Sequence, residues 1–250
     1  MVKTISQPFA EKLKLEDITF SEDQLKKRCN GIYNRFVKRA IDFCMAFVLT
    51  IVLSPILLIV ALCVASETGF PVFYRPQRGG YKDKPFRICK FRTMVKNADQ
   101  IGGGTTALND SRITKVGAFL RKTKLDETAQ LFNVLNGTMA FIGPRPELLR
   151  YTNDYNQLEK NILNVRPGIT DFSSIEFINL DEIVGSENAD EIYEKYVLKR
   201  KIQLRLKYVS KASFLTDCKL FFYTVYRVIK KALNSIFGKK NERIFDGWNT

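Results

Sequence analysis

Asp126 and Glu127 stand side by side in a stretch whose neighbouring charges are mostly Lys and Arg. If a helix begins here, both carboxylates reach the space before its N-terminus, although adjacent helical side chains point about 100° apart. That position carries partial positive charge, attracts phosphate and holds a carboxylate ionised, as a nucleophile or a Mg²⁺ ligand must be. Taken alone, the pair also reads as a helix cap at Asp126 with a solvated Glu127. Basic residues recur around it: Arg75, Arg78, Lys90, Arg92, Arg112, Arg121 and Arg145. Arginine matches phosphate oxygens two at a time, so such a set can hold a diphosphate. Residue by residue, each also reads as part of a solvated basic face. The 250 residues include no histidine. That excludes a Ser-His-Asp hydrolase, a histidine general base and a His-ligated metal, and leaves acid–base work to Asp, Glu, Lys, Tyr or Cys.

The elements that must position these groups follow from local pattern. Residues 124–136 predict a helix with Leu125, Leu131, Phe132 and Leu135 on its apolar side, a Thr123/Asp126 capping box, and Gly137 just past the end. Pro71–Arg75 and Phe86–Arg92 read as strands, with Gly79-Gly80 and Lys84-Pro85 as turns. Gly102–Gly104 is a loop without the spacing of a nucleotide cradle. Gly143-Pro144-Arg145-Pro146 and Arg166-Pro167-Gly168 are rigid turns. From Tyr193 to Phe237 apolar residues return at helical spacing with lysines between them, which fits an interfacial amphipathic helix or a core-facing one.

Phe43 to Ala65 carries no charge over 23 residues, enough for a membrane helix. Ser54-Pro55 interrupts it midway, because proline removes a helix hydrogen bond and restrains its predecessor. Both flanks are net basic, and Lys/Arg-rich flanks favour the cytoplasmic side. The run therefore reads either as a re-entrant helix–break–helix or as a kinked single span. A formal charge of +14 implies anionic partners: phosphorylated substrates, acidic headgroups or nucleic acid. Arg28, Arg35, Lys38 and Arg39 form a basic collar before the run, and residues 1–30 read as a polar surface arm. An apolar fraction of 45% excludes a disordered basic tail. Five cysteines without a C-x-x-C pair suit reduced thiols.

An ordered series of segments resembles the bacterial sugar transferases, the monotopic phosphoglycosyl transferases. The series runs from Lys38-Arg39-Ala40-Ile41-Asp42 and the apolar run through Gly69-Phe70-Pro71-Val72-Phe73-Tyr74-Arg75-Pro76-Gln77-Arg78-Gly79-Gly80, Lys84-Pro85-Phe86 and Lys90-Phe91-Arg92-Thr93-Met94. It continues with Asn109 to Gly117, Phe119 to Glu127, Gln130 to Leu135, Ile142-Gly143-Pro144-Arg145-Pro146-Glu147 and Val165-Arg166-Pro167-Gly168-Ile169-Thr170. The resemblance implies transfer of a sugar-1-phosphate from a UDP-sugar to undecaprenyl phosphate with release of UMP. It implies Asp126 as nucleophile on the β-phosphorus, Glu127 in proton handling or metal binding, and Mg²⁺ held by Asp126 and Glu127. Substrate-binding roles fall on Lys90, Arg92, Arg112, Arg121, Pro144, Arg145, Pro146, Glu147 and Arg166, with the phosphate clamp at Arg121. Ser54-Pro55 becomes the break of a re-entrant helix, which favours a one-sided topology on the cytoplasmic face of the bacterial inner membrane.

The expected fold is α/β or α+β, mostly helical with few short strands, on a re-entrant anchor with interfacial helices. The expected division is an arm at 1–36, a membrane helix at 37–66, a catalytic domain at 67–177 and a membrane-associated helical extension at 178–250. Expected partners are a UDP-sugar, undecaprenyl phosphate, anionic lipids and downstream glycosyltransferases, with no nucleic acid. Two departures stand out: Thr128-Ala129 follows the dyad where the family has Leu-Pro, and Asp171 to Phe177 replaces a glycine-led segment. A non-catalytic membrane-anchored scaffold is the alternative reading, and a lost dyad would have favoured it.

Overall fold

The computed structural model describes residues 20–107 and 109–236. The first part of the expected arm, and the end of the chain from Phe237, lie outside the described residues. Helices dominate and strands are short, as expected of a mostly helical α+β chain.

A short helix, α1 (Glu22–Cys29), and a π turn over Tyr33–Val37 lead into α2 (Lys38–Thr68), the one described helix long and apolar enough to cross a membrane. Pro55 lies inside α2 without ending it. Proline has no N–H for the Ile51 carbonyl four residues back, and the Ser54 hydroxyl donates to that carbonyl at 2.8 Å instead. Both ends of α2 are tied by hydrogen bonds to later parts of the chain. At its start Arg39 donates to the carbonyls of Val134 and Leu135, and Asp42 accepts from the N–H of Phe141 at 3.2 Å. At its end Glu67 accepts from the N–H groups of Lys115 and Val116 at 2.9 and 3.1 Å. Between them Phe47, Val48, Ile51, Val52, Ile59 and Leu62 are exposed on the outer face.

The strands form three small ladders. β1 (Phe73–Tyr74) pairs antiparallel with β4 (Lys90–Phe91), and β2 (Gln77–Arg78) with β3 (Phe86–Arg87). The predicted single strand over Phe86–Arg92 is therefore split. Asn133 divides it by accepting from the N–H of Cys89 at 2.7 Å and donating to the carbonyl of Arg87 at 2.8 Å. Next come α3 (Ala98–Ile101) and α4 (Lys115–Thr123). The predicted helix over 124–136 is also split. Lys124 takes a left-handed conformation (φ 62°), a 3₁₀ segment covers Leu125–Gln130, and α5 (Leu131–Leu135) follows. The capping box does not form, because the Thr123 hydroxyl donates back to the carbonyl of Phe119. Gly137 takes positive φ just past α5, as expected.

β5 (Ala140–Ile142) pairs parallel with β6 (Gly168–Thr170), with α6 (Leu149–Thr152) and a 3₁₀ segment (Glu159–Asn164) in the crossover. A Cβ at Gly143 or Gly168 would collide with the backbone of the other strand's end, so this crossing needs glycine at both. The chain ends in α7 (Phe172–Glu176), α8 (Leu180–Val184), α9 (Ala189–Ile192), a π turn at Tyr193–Val197, α10 (Leu198–Lys211) and α11 (Phe214–Ile236). The helix expected from Tyr193 to Phe237 is thus broken at Ala212-Ser213.

One core joins α1, the start of α2, α5, β5, α10 and α11 through Leu25, Ala46, Val134, Phe141, Tyr208 and Leu220. A second lies under the later half of α2, where Leu57, Val60 and Val64 meet Phe91, Leu120 and Ala129. Asp217 locks the helix starts together by accepting from Lys38, from Tyr33 at 2.6 Å and from Tyr208 at 2.8 Å.

Candidate active site

The left-handed turn at Lys124 aims the following 3₁₀ segment into the second core, which buries Asp126 at 7% exposure. Asp126 Oδ1 has no hydrogen-bond partner. A buried acceptor without a partner is uncommon and marks either strain or a place for a ligand. Glu127, its neighbour, is engaged through one oxygen. Its Oε1 accepts from Lys90 on β4 at 3.1 Å and from the guanidinium of Arg145. The two cations come from elements far apart in sequence, and the carboxylate bridges them.

Electrostatics separates the two acids. Burial raises the pKa of Asp126, the adjacent Glu127 charge raises it further, and Lys90, Lys124 and Arg121 work against both. Burial also opposes ionisation of Glu127, but Arg145, Lys90 and Lys124 outweigh it and hold that carboxyl well below the usual range. Glu127 is thus a fixed negative charge, and Asp126 is an acceptor whose ionisation responds to added positive charge.

Arg145 is held from three directions. Besides Glu127, it donates to the Ile169 carbonyl at 2.6 Å, and its backbone N–H reaches Asp171 at 3.1 Å. Asp171 is fully buried and caps α7 through the N–H of Ser174. Arg121, on α4, donates to the hydroxyls of Thr93 and Thr106 at 3.2 and 2.7 Å, and its charge is felt at Asp126. Lys90, Arg121 and Arg145 therefore gather around the dyad.

Other expected residues stand elsewhere. Arg112 forms a two-pronged pair with Asp110, at 2.9 and 2.6 Å, and donates to the carbonyls of Ala98 and Gly103. Arg166 donates to the Gly137 carbonyl and stacks over Tyr81. Arg92 is buried and donates to the Pro71 carbonyl, while its Nη1 has no partner. Glu147 accepts from Arg205 at 2.9 Å and from the Tyr193 hydroxyl. Burial opposes its ionisation, yet Arg205, Lys201 and the hydrogen bonds it accepts pull it down to about 2. Pro144 and Pro146 line a small cavity with Gly79, Gly80, Thr152 and Tyr155. The sequence pattern passed over Asp171, Thr93 and Thr106, whose only signal is proximity in the fold. Lys124 had a signal, two positions before Asp126.

Among the described residues no three acidic or cysteine groups converge as a metal cage. Mg²⁺ needs no such cage, since one or two carboxylates with substrate phosphates and water suffice. The free Oδ1 of Asp126 fits that role. Glu127, already bridging two cations, has less capacity for it.

Residues 33–231 match the family model described as bacterial sugar transferase. This chain belongs to the bacterial sugar transferase family. Over 198 residues it is 36% identical to a UDP-glucose:undecaprenyl-phosphate glucose-1-phosphate transferase of Escherichia coli (strain K12), covering 78% of this chain and 40% of that protein. It is 33% identical over 179 residues to a UDP-N-acetylgalactosamine-undecaprenyl-phosphate N-acetylgalactosaminephosphotransferase of Aeromonas hydrophila, covering 70% and 41%. An uncharacterized sugar transferase of Bacillus subtilis (strain 168), EpsL, is 35% identical over 193 residues, 77% of this chain and 87% of its own. The chain thus spans about two fifths of the first two family members and most of the third.

Proposed function

We propose that this chain transfers a sugar-1-phosphate from a UDP-sugar to undecaprenyl phosphate, releasing UMP, through a covalent phosphosugar intermediate on Asp126. The observation that carries the reading is the dyad itself: a buried carboxylate oxygen with no partner beside a carboxylate bridged by Lys90 and Arg145. The relatives' names supply the substrate class, and since they name both glucose and N-acetylgalactosamine, the sugar is left to experiment.

In the first step an Asp126 oxygen attacks the β-phosphorus. A P–O bond forms, the bridging P–O bond breaks, and UMP leaves with the electron pair. In the second, a phosphate oxygen of the lipid attacks the same phosphorus and returns the Asp126 carboxylate. Lys90, Arg121 and Arg145 offset charge on the diphosphate and the departing UMP. Glu127 keeps Lys90 and Arg145 at the site. Asp126, with Glu127 where its geometry permits, would hold Mg²⁺, which neutralises phosphate charge and favours the ionised nucleophile. Pro144 and Pro146 stiffen the turn that presents Arg145.

The anchor reading is one-sided. Arg39 and Asp42 at one end of α2 and Glu67 at the other bond to neighbouring parts of one domain, so a straight crossing would carry polar groups of that domain through lipid. A re-entrant α2 on the cytoplasmic face avoids this, with its outer apolar face and that of α11 in lipid and the basic collar on anionic headgroups. Downstream glycosyltransferases would then receive the lipid-linked sugar.

The test is UMP release from a panel of UDP-sugars with Mg²⁺ and undecaprenyl phosphate, with Asp126→Asn alongside. Release that requires both Asp126 and the lipid phosphate is expected for one sugar class. Full release by Asp126→Asn would refute the covalent route. No release with any sugar would favour the scaffold.

A further inference from the structure

The later half of α11 is two-faced. Phe222, Val225, Tyr226, Ile229 and Leu233 recur at helical spacing and are exposed. The other face turns inward. Phe221 packs edge-on against Phe141, the Thr224 hydroxyl lies 3.0 Å from that of Thr170, and Lys231 Nζ donates to the Ile178 carbonyl at 2.8 Å. The helix also packs on α4, which leads into the dyad. It therefore stands as a wall between an exposed apolar stripe and the segment that carries Asp126.

Lys124 reaches the same region from the dyad's own segment. It sits at the left-handed junction two residues before Asp126, a strained conformation for a non-glycine residue; its backbone N–H donates to the Arg121 carbonyl and its carbonyl accepts from the N–H of Glu127, while its ammonium makes no hydrogen bond or ion pair among the described residues. The two ammonium groups act on each other. Burial and the Lys124 charge pull Lys231 down to about 8, against the opposing charges of Asp181, Glu182 and Glu127. Lys124 closes α4, the helix on which α11 packs, so both cations stand on the side of the fold that carries the dyad and are relieved by an arriving anion.

The two substrates differ in how they can approach. The sugar nucleotide comes from water. The acceptor's phosphate hangs from an isoprenoid chain that stays among apolar side chains, so its cationic contacts must stand beside a lipid-facing wall. We propose that Lys124 and Lys231 form the subsite for the phosphate of the polyprenyl acceptor, next to Asp126 and approached along the apolar stripe of α11. This deepens the transferase reading and rests on it.

The experiment uses the full chain in detergent or nanodiscs, with the UDP-sugar the wild type turns over and undecaprenyl phosphate. Compared are Lys231→Gln, Lys231→Arg and Lys124→Asn, asparagine being tolerant of the left-handed conformation. Losing one charge-assisted contact is expected to raise the acceptor's KM roughly tenfold or more in Lys231→Gln and Lys124→Asn. In Lys231→Gln the UDP-sugar KM and the acceptor-independent burst of UMP should hold, and Lys231→Arg should restore most of the acceptor affinity. An unchanged acceptor KM in both neutral variants overturns the subsite, as does a parallel rise of both KM values in Lys231→Gln. If Lys231→Gln fails to fold, Lys124→Asn on a separate element decides alone. A wild type without acceptor-dependent turnover would instead overturn the transferase reading, and the subsite with it.

Discussion

Removing Arg145 should expose how strongly the dyad depends on its clamp. Arg145 and Glu127 are 23% and 15% exposed at the side chain, so the pair is neither fully buried nor freely solvated. Unit charges about 4 Å apart at an effective dielectric near 20 interact by about 4 kcal/mol. Lys90 shares the same Glu127 oxygen and partly replaces Arg145, and residual solvent screens the remainder. A coupling of about 2 kcal/mol is the resulting expectation. A double-mutant cycle with Arg145→Met, Glu127→Gln and the pair isolates it, because the Arg145 bond to Ile169 cancels around the cycle. For a chain of this size each kcal/mol shifts Tm by roughly 2–4 °C, so the coupling should appear as a non-additivity of about 4–8 °C. The depressed Glu127 pKa fixes the pH dependence. Its stabilisation is fully present above the ordinary value of 4.5 and is lost as pH falls through the depressed one, so the coupling should shrink only in strong acid. A coupling below about 0.5 kcal/mol at neutral pH would mean that solvent already screens the pair.

Two further outcomes follow from the same structure. Glu147→Gln leaves Arg205, whose side chain is 1% exposed, without its counter-charge; this should cost about 3–5 kcal/mol, read as a fall in Tm with aggregation on mild heating. In the wild type the Glu147 contribution holds above pH 4.5 and fades as pH falls toward 2. Single cysteines placed just before residue 38 and just after residue 68, in a background without the native cysteines, should both react with an impermeant maleimide from the cytoplasmic side; labelling from opposite sides would refute the re-entrant reading of α2.

Some of the site was legible locally. Asp126-Glu127 stands out as adjacent acids among basic neighbours, and Arg145 as the charge inside a proline-stiffened turn. Local pattern misjudged the setting, however. Residues 124–136 have apolar spacing suited to one helix, yet Lys124 turns left-handed and Thr123 bonds backward. Packing Ala129 with Leu120 and Phe91 in the second core outweighs the regular helix. The alternation over Phe86–Arg92 likewise suits one strand, yet Asn133 takes its backbone groups and divides it.

By itself the sequence determined what rests on composition and short-range spacing. It gave a chain with no histidine chemistry, an excess of positive charge for anionic partners, an apolar segment of membrane length and a mostly helical body. Tertiary structure decided which charges meet. Lys90 lies 37 positions from Glu127 and Arg145 lies 18, and no local pattern says that these two meet Glu127 while Arg112 pairs two residues away with Asp110. It also decided that Glu147 pairs with Arg205, and that both ends of α2 bond to later elements. The reason is physical: periodicity and capping act over one or two turns. Ion pairing and burial act through space, and only the closed chain sets those distances.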